Sequence, residues 1–509
     1  MAPDLKGVRY KKVSLQSKDV HMANDKAGRE EKKGLSAKKE SSFSDWYTQL
    51  VERTDFVDYT SVSGCIAFKP NAYFAWEQVQ KATDLLFKQA GIQNVYFPML
   101  IPEHLLNKEK EHVKGFSPEV AWVTHTGSSK LEERLAIRPT SETVMYERFA
   151  KWIRSWRDLP MRYNQWNSVL RWEFKHPTPL LRTREFLWNE GHTVFATREE
   201  EEAERDQVLG IYKKVLEEVL ALPGVMGKKT DSEKFAGAEA SYSIEHLIPD
   251  GWAVQGPDFH VDGQKFSKVF DIMFIDKEGK KEYAYQNTFA VSTRELGVML
   301  AVHGDDKGLV LPPAAARVQA VIVPIYNDGN KELVIKHAKE LEARLAKTVR
   351  VYLDSRETYS PGWKFNEWEM NGTPVRIEIG ERDIKEGKAV LVRRDTGAKE
   401  SVEAVHAGER TEGLLEDIRR SLYAKAKKML EDNTHNVDSY DELKKLIKGK
   451  GGFVQAGWCG SEECESKVKE EIGAKITNMP FDAQHLAKGR KCIACGSAAK
   501  YIANFARSY

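Results

Sequence analysis

The chain has 509 residues, with 78 Lys and Arg against 76 Asp and Glu, a formal net charge of +2, 41% hydrophobic and 30% charged residues. That balance describes a soluble globular polypeptide with room for about three domains, and it excludes a polycation that grips nucleic acid with its whole surface; any such contact must come from local basic clusters. No run approaches the roughly 20 apolar residues of a membrane helix, and the start, MAPDLKGVRYKKV, lacks the apolar stretch of a secretory signal, so no membrane contact and a cytoplasmic location are expected.

The first 40 residues hold eleven Lys/Arg against six Asp/Glu and few large apolar side chains. They read as a basic mobile tail, which serves either as the attachment point for a larger assembly or as a solvated leader with no partner. Order is expected from near Phe43, where FSDWYTQLVER sets aromatic and apolar residues at helical spacing. A second helix is predicted over Tyr73–Ala90, stopped by Gly91, followed by a short strand, NVYFP. PTSET predicts a helix from Ser141 to about Trp156 with Thr140 or Ser141 as its cap. Two strand-like runs, Ser168–Phe174 and Phe186–Phe195, flank a long loop carrying Lys175, His176, Arg182 and Arg184. On this reading Arg171 and Glu173 lie in a strand and share one face. A charged helix is predicted from Arg198 to Leu220, then strands and loops to a helix-like ELGVMLAV. Pro312 and Pro313 close a first unit, 41–313. From 314 to 425, strands (VQAVIVPIY, VRVYLD, PVRIEIG, AVLVRR) alternate with helices, the pattern of an α/β layer. A third unit, 426–509, carries four of the five cysteines. The P-loop pattern GxxxxGK[ST] is absent, so a bound ATP needs another device.

Those four cysteines stand as CGSEEC (Cys459, Cys464) and CIAC (Cys492, Cys495). Four soft ligands at C-x4-C and C-x2-C spacing suit a tetrahedral structural Zn²⁺ with no open position.

Several ordered segments together resemble the class II aminoacyl-tRNA synthetases, and more narrowly the prolyl-tRNA synthetases of the eukaryotic and archaeal type. GIQNVYFPMLIPE resembles motif 1, SVLRWEFKHPTPLLRTREFLWNEGH motif 2 and YQNTFAVSTRELGVM motif 3; RPTSETVMY resembles the amino-acid-binding loop, and YSPGWKFNEWEMNGTPVRIEIGERD the anticodon-binding domain. The resemblance spans roughly Gly34 to Tyr509 in the family's order, which chance agreement does not produce. It implies an α+β fold: an antiparallel class II sheet, an α/β anticodon-binding domain and a small C-terminal zinc-binding-like α+β domain.

The implied activity is ATP-dependent formation of prolyl-adenylate and transfer of prolyl to tRNA(Pro), by a homodimer using Mg²⁺. By position, Thr140, Ser141 and Glu142 belong to the loop that holds proline, Glu142 opposing its cationic amine. Arg171 matches the catalytic arginine on the α-phosphate and the substrate carboxylate. Arg182 matches a γ-phosphate contact, Glu173 and Thr183 adenosine contacts, and Phe186 and Arg294 the pair that sandwiches adenine. Gln255 matches a contact to ATP and Mg²⁺, and Ser292 a ribose or ATP contact. Trp188, Glu190, His192 and His260 match the wall of the proline pocket. Lys364, Arg376 and Lys385 are candidates for reading the anticodon.

The chain departs from the family at QGPDFHVDG, where Asp258 stands at an ATP-binding threonine position and Phe259 replaces a small residue; Phe289 and Ala290 stand where Trp and Gly are frequent. An aspartate there is tolerable beside ATP if it meets Mg²⁺ or the ribose. Only 63 positions separate His192 from Gln255, so no inserted editing domain is expected. Two rivals remain: another class II ligase, such as a threonyl or seryl enzyme, and a catalytically silent synthetase-like RNA-binding protein. The first is disfavoured by the absence of cysteines other than Cys65 before Cys459, and the second by the presence of Arg171, Arg182 and Arg294.

Overall fold

A computed structural model of the chain describes residues 34–112, 119–173 and 176–509, without the side chains of 109–112. The predicted tail falls outside this range for residues 1–33, but its last part does not behave as a tail. Leu35 and Ala37 pack on the first core, and Lys39 Nζ donates to Val302 O at 2.9 Å and Gly304 O at 2.6 Å. These carbonyls close the helix Arg294–His303, whose end favours an amine donor, while burial brings the Lys39 pKa down to about 7. The predicted boundary at residue 40 is therefore corrected: residues 34–40 belong to the first unit.

The helix Pro70–Gln89 starts with proline at its first turn and buries Ala72, Ala75, Trp76, Val79, Ala82, Leu86 and Phe87, an apolar stripe at three- and four-residue spacing. The helix Arg198–Val219 opens with a reciprocal capping box between Thr197 and Glu200, each donating a backbone N–H to the other's side chain at 3.3 Å. Its inner face, with Leu209, Tyr212 and Leu216, lies in the same core as Phe259, Phe289 and Val291 of the sheet.

The sheet beneath these helices runs, from one edge, Gln93–Asn94, Met161–Leu170, Glu185–Phe195, Tyr285–Ser292, Trp252–Gly263, Ala240–Leu247 and Val225–Lys228. Every pairing is antiparallel except that of the edge strand Gln93–Asn94. The sheet continues into the third unit: Lys475–Pro480 pairs antiparallel with Val225–Lys228, and Tyr501–Ser508 lies parallel to the start of Trp252–Gly263, with Trp252 opposite Arg507. Eleven strands thus form one sheet across two units, with Thr434–Asn436 at the far edge. Separate cores on either side were legible in the sequence; the shared backbone ladder was not.

The middle unit is a five-stranded mixed sheet ordered Val351–Leu353, Ala320–Ile325, Val375–Gly380, Lys388–Arg393, Lys399–Glu403, with the first three parallel. The helix Ala407–Asp432 runs through the boundary predicted at 425/426, so that division falls inside one helix and not in a linker. The junction is held on both sides of Pro312: Arg350 donates to the carbonyls of Pro313, Ala314 and Ala316 after it, and Arg394 forms a bidentate pair with Asp305 before it at 2.6 and 2.8 Å.

Candidate active site

The sheet's upper face opens into a cavity of about 420 Å³. Of the residues predicted for the site it gathers Thr140, Glu142, Arg171, Glu173, Phe186, Trp188, Glu190, His192, Gln255, Asp258, His260, Ser292 and Arg294. Ser141, Arg182 and Thr183 do not line it.

Ser141 starts the helix Glu142–Trp152, but its side chain does not cap it. The hydroxyl donates instead to Glu190 Oε1, and the backbone N–H of Ser141 donates to Glu190 Oε2 at 3.0 Å. The predicted cap is thus a buttress for a buried carboxylate. Arg182 is exposed and Thr183 is buried outside the cavity; the backbone of Arg182 exchanges hydrogen bonds with Thr178 at 2.8 and 2.9 Å.

The hairpin also differs from its prediction. The strands are Met161–Leu170 and Glu185–Phe195, paired Leu170 to Glu185, so Arg171 and Glu173 lie just beyond the strand end. Apolar alternation extended the predicted strand too far, because the loop's charges take over at Arg171. The ladder still reaches one step further, with Arg171 N–H donating to Arg184 O at 2.8 Å. Arg171 Nε donates to Pro139 O at 3.0 Å, and its guanidinium lies 5.1 Å from the Trp188 ring centre and 5.4 Å from that of Phe186. These contacts fix a fork of remaining N–H donors at the cavity wall.

Opposite, Arg294 Nε donates to Leu181 O and Nη1 to Gln255 O, both at 3.1 Å. Burial lowers its pKa, and the neighbouring Arg171 adds to that effect. Two half-buried guanidinium groups facing one cavity form a site for an anion.

Two carboxylates sit near the inner end. Glu190 accepts from Ser141, Gln165 Nε2 (3.1 Å) and Asn167 Nδ2, and lies 3.4 Å from His192 Nε2. Burial alone would raise it, but bonds from His192, Ser141 and Asn167 and the charge of His192 outweigh that and hold it at about 2. Glu142 accepts from the Thr140 hydroxyl; burial first, and the Glu190 charge next in that direction, push its carboxyl above the ordinary range.

Gln255 Nε2 donates to Asp258 Oδ2 at 3.0 Å, while Asp258 Oδ1 is buried without a hydrogen-bond partner. That orphaned oxygen fits a cation or a hydroxyl donor from a ligand. His260 Nδ1 meets Ser241 Oγ at 2.7 Å; burial lowers its pKa.

Sequence reasoning missed Glu233, Phe235, Ala236, Gly256 and Thr288, which also line the cavity. Phe235 stacks on His260 at 4.8 Å between ring centres. The sequence offered no periodic signal here, since 229–238 is loop. Gly191 is required by proximity: a Cβ there would meet the Phe289 ring at 1.9 Å.

In the third unit the ligand atoms of Cys459, Cys464, Cys492 and Cys495 all lie within 4.8 Å of one another, with Sγ separations of 3.6 Å (459 to 464) and 3.9 Å (495 to 459). Four thiolates about 2.3 Å from a tetrahedral Zn²⁺ sit about 3.8 Å apart, so the cluster fits that ion. Among the anticodon candidates, Lys364 is corrected: it is buried, donates to Asp354 O at 3.0 Å and lies 3.6 Å from Asp354 Oδ1, a structural pairing that leaves it unable to reach RNA. Arg376 lies over the Phe365 ring at 4.3 Å and pairs with Glu378, and Lys385 is exposed beside Glu381.

Comparison with known proteins agrees with this arrangement. Residues 122–303 match the tRNA synthetase class II core domain (G, H, P, S and T), 319–410 the anticodon binding domain and 440–509 the prolyl-tRNA synthetase C-terminal domain. The chain is 49% identical over 472 residues to a proline–tRNA ligase 2 of Bacillus cereus, covering 93% of this chain and 98% of that one, and 50% identical over 470 residues to a proline–tRNA ligase of Alkaliphilus oremlandii, covering 92% and 97%. A crystal structure of prolyl-tRNA synthetase from Cryptosporidium parvum, complexed with halofuginone and AMPPNP, superposes with a TM-score of 0.89 at 44% identity, covering 94% of this chain and all of that one. With its class II sheet, its anticodon-binding unit and near-full-length identity of this order, the chain belongs to the prolyl-tRNA synthetase family of class II aminoacyl-tRNA synthetases.

Proposed function

We propose that this chain activates L-proline with ATP to prolyl-adenylate and transfers the prolyl group to tRNA(Pro). The observation that carries this reading is one cavity with two half-buried arginines, Arg171 and Arg294, facing it and two buried carboxylates, Glu142 and Glu190, at its inner end. Proline is a cation and an anion at pH 7, and ATP is a polyanion. Glu142 meets the ring nitrogen. Arg171 holds the proline carboxylate beside the α-phosphate and neutralises charge as the carboxylate oxygen attacks phosphorus and pyrophosphate leaves. No general base is needed, because that carboxylate is already ionised. Trp188, His192 and His260 wall in the ring, while Phe186 and Arg294 take adenine between them. Glu173, Ser292 and Thr183 serve the nucleoside, and Arg182 closes on the γ-phosphate from the exposed loop.

Mg²⁺ supplies charge neutralisation on the polyphosphate when bound. Gln255 and the unpartnered Asp258 Oδ1 are the residues that fit it. Zn²⁺ in the Cys459–Cys464–Cys492–Cys495 cluster is structural in this reading. Units 34–313, 314–432 and 433–509 divide the labour as catalytic, anticodon-reading and supporting domains, with the helix Ala407–Asp432 closing the second and Arg376 and Lys385 within it. What supports assignment to the eukaryotic and archaeal type is the C-terminal unit with its four cysteines; the bacterial relatives named above set no narrower class. What supports a homodimer is the exposed apolar run after the helix Pro70–Gln89, where Tyr96, Met99 and Leu100 are 72%, 46% and 38% accessible. No helix among the described residues is long and apolar enough to cross a membrane. A cytoplasmic site of action, and attachment of the basic segment 1–33 to a larger assembly, complete the proposal.

Exchange of labelled pyrophosphate into ATP, measured with each of the twenty amino acids, tests it. Strong exchange with proline alone, or with weak exchange for alanine and cysteine, is expected, since a small apolar pocket separates near neighbours by only about 1–3 kcal/mol. Exchange with none would establish the silent RNA-binding alternative.

A further inference from the structure

The loop between the strands Val225–Lys228 and Ala240–Leu247 carries Glu233, Phe235 and Ala236 to the cavity wall. Its near end is held from the far end of the chain. Thr230 Oγ1 donates to Glu465 Oε1 at 2.9 Å, across 235 residues, and both side chains are buried. The same hydroxyl accepts from Glu233 N–H at 3.3 Å, and Lys234 N–H donates to Thr230 O at 3.0 Å, so Thr230 is the pivot on which the loop turns. Lys475 Nζ donates to Glu233 Oε2 at 3.1 Å, with Lys469 Nζ 3.6 Å from Oε1. The loop's other end is tied inside the catalytic unit: Phe235 N–H donates to Ser241 Oγ at 3.0 Å, and Ser241 Oγ meets His260 Nδ1.

We infer that Glu465 and Lys475, both in the C-terminal unit, are positioning residues for the amino-acid end of the cavity: they hold the 229–236 loop so that Phe235 stands against His260, and they set proline affinity without touching proline. The physical reason is entropic. A loop without regular structure costs free energy to order, and if it is not ordered beforehand the substrate must supply that ordering on binding. Glu465 belongs to the helix Glu462–Ile472, whose first turn also carries Cys464, and Lys475 opens the strand that joins the catalytic sheet. Both anchors therefore stand on elements that do not depend on the loop. The adenine side is held by other segments, Leu181 and Gln255 through Arg294, so the brace acts on one substrate selectively. The buried Glu465–Thr230 bond outweighs the Lys475–Glu233 pair, where Lys475 is 28% accessible and solvent screens it.

This inference rests on the proline reading of the cavity, and the test separates the two. Steady-state pyrophosphate exchange is measured on the full chain and on Glu465→Ala, Glu465→Gln and Lys475→Met. Glu465→Ala is expected to raise KM for proline about tenfold and Lys475→Met about threefold, with KM for ATP within about twofold, from the loss of one buried and one screened bond. Glu465→Gln is expected to restore most of the loss, because its carbonyl still accepts from Thr230. If the proline and ATP constants move together, if only kcat falls, or if neither KM moves, the brace is wrong. Should Glu465→Ala not fold, Lys475→Met at its partly exposed site decides alone. Absence of proline exchange in the unaltered chain would sink the functional reading instead.

Discussion

Glu142 and Glu190 share the inner end of one cavity and both lie beside the Thr140 hydroxyl, yet their environments drive them in opposite directions. Glu190 is surrounded by donors and stays ionised down to about 2. Glu142 is buried with fewer donors to offset that burial and also feels Glu190 as a like charge, so its proton affinity is raised. A structural anion and a poised anion therefore sit side by side, and the poised one is available for a cation from outside.

Glu142→Gln is expected to raise KM for proline about a hundredfold or more with little change for ATP, since truncating one partner of a buried charge pair costs about 2–5 kcal/mol. The sign with pH follows from the raised carboxyl: protons compete with the proline cation, so KM for proline rises as pH falls through the Glu142 pKa and levels off above it. An initial-rate series in proline at several pH values checks both, and a flat KM profile would refute the charge pairing.

Arg171→Ala is expected to lower kcat of pyrophosphate exchange about 10²–10³-fold, the usual effect of removing a donor aimed at developing charge. Arg171→Lys recovers little, because a point charge cannot replace a fork held by Pro139 O and two aromatic rings. Single-turnover adenylate formation is the measurement.

The cysteine cluster predicts one equivalent of zinc per chain by elemental analysis. Cys464→Ser is expected to lose the metal and lower the melting temperature, because a structural ion contributes folding free energy. Zinc-free protein with an unchanged melting temperature after chelation would leave the cysteines as a thiol cluster.

His303 is buried with Nε2 meeting Leu220 O at 2.9 Å, and burial lowers its pKa to about 4. The unfolded chain takes up a proton near pH 6.5 that the folded chain refuses until about pH 4. Its contribution to stability is intact above pH 6.5 and is lost as pH falls from there towards 4, by at most about 3 kcal/mol. Denaturant unfolding of His303→Gln beside the unaltered chain should show a shallower loss over that window.

Gly191→Ala drives a methyl into Phe289, which stacks on Phe259 at 5.8 Å between ring centres. Overpacking of this kind costs about 1–3 kcal/mol. A lower unfolding midpoint, together with weaker proline binding at the adjoining wall, is the expected result.

Local pattern carried much of this. The stripe from Ala72 to Phe87 and the capping box at Thr197 are written in spacing that a helix must obey, and the order of Arg171, Phe186, Gln255, Ser292 and Arg294 along the chain marked a class II site before any coordinates. Where side-chain identity alone had to serve, the outcome split. Lys364 and Lys385 look alike as residues, yet one is buried on Asp354 and the other faces solvent, because burial is decided by what packs over a position and not by the position itself.

Ser141 shows the same limit: the usual cap residue at a helix start turned to Glu190, a partner 49 residues away that offered a buried charge in place of a backbone N–H. The ordered motifs, through their resemblance to the prolyl-tRNA synthetases, pointed to the family, and thirteen of the predicted site residues line one cavity, whereas the unit boundaries read from composition and periodicity had to move. The tertiary structure alone decided that strands between residues 434 and 508 extend the catalytic sheet, that Glu465 reaches Thr230, and that Glu142 and Glu190 titrate apart. Those features depend on contacts between segments far apart in the chain, and no local spacing encodes a distance that exists only after folding.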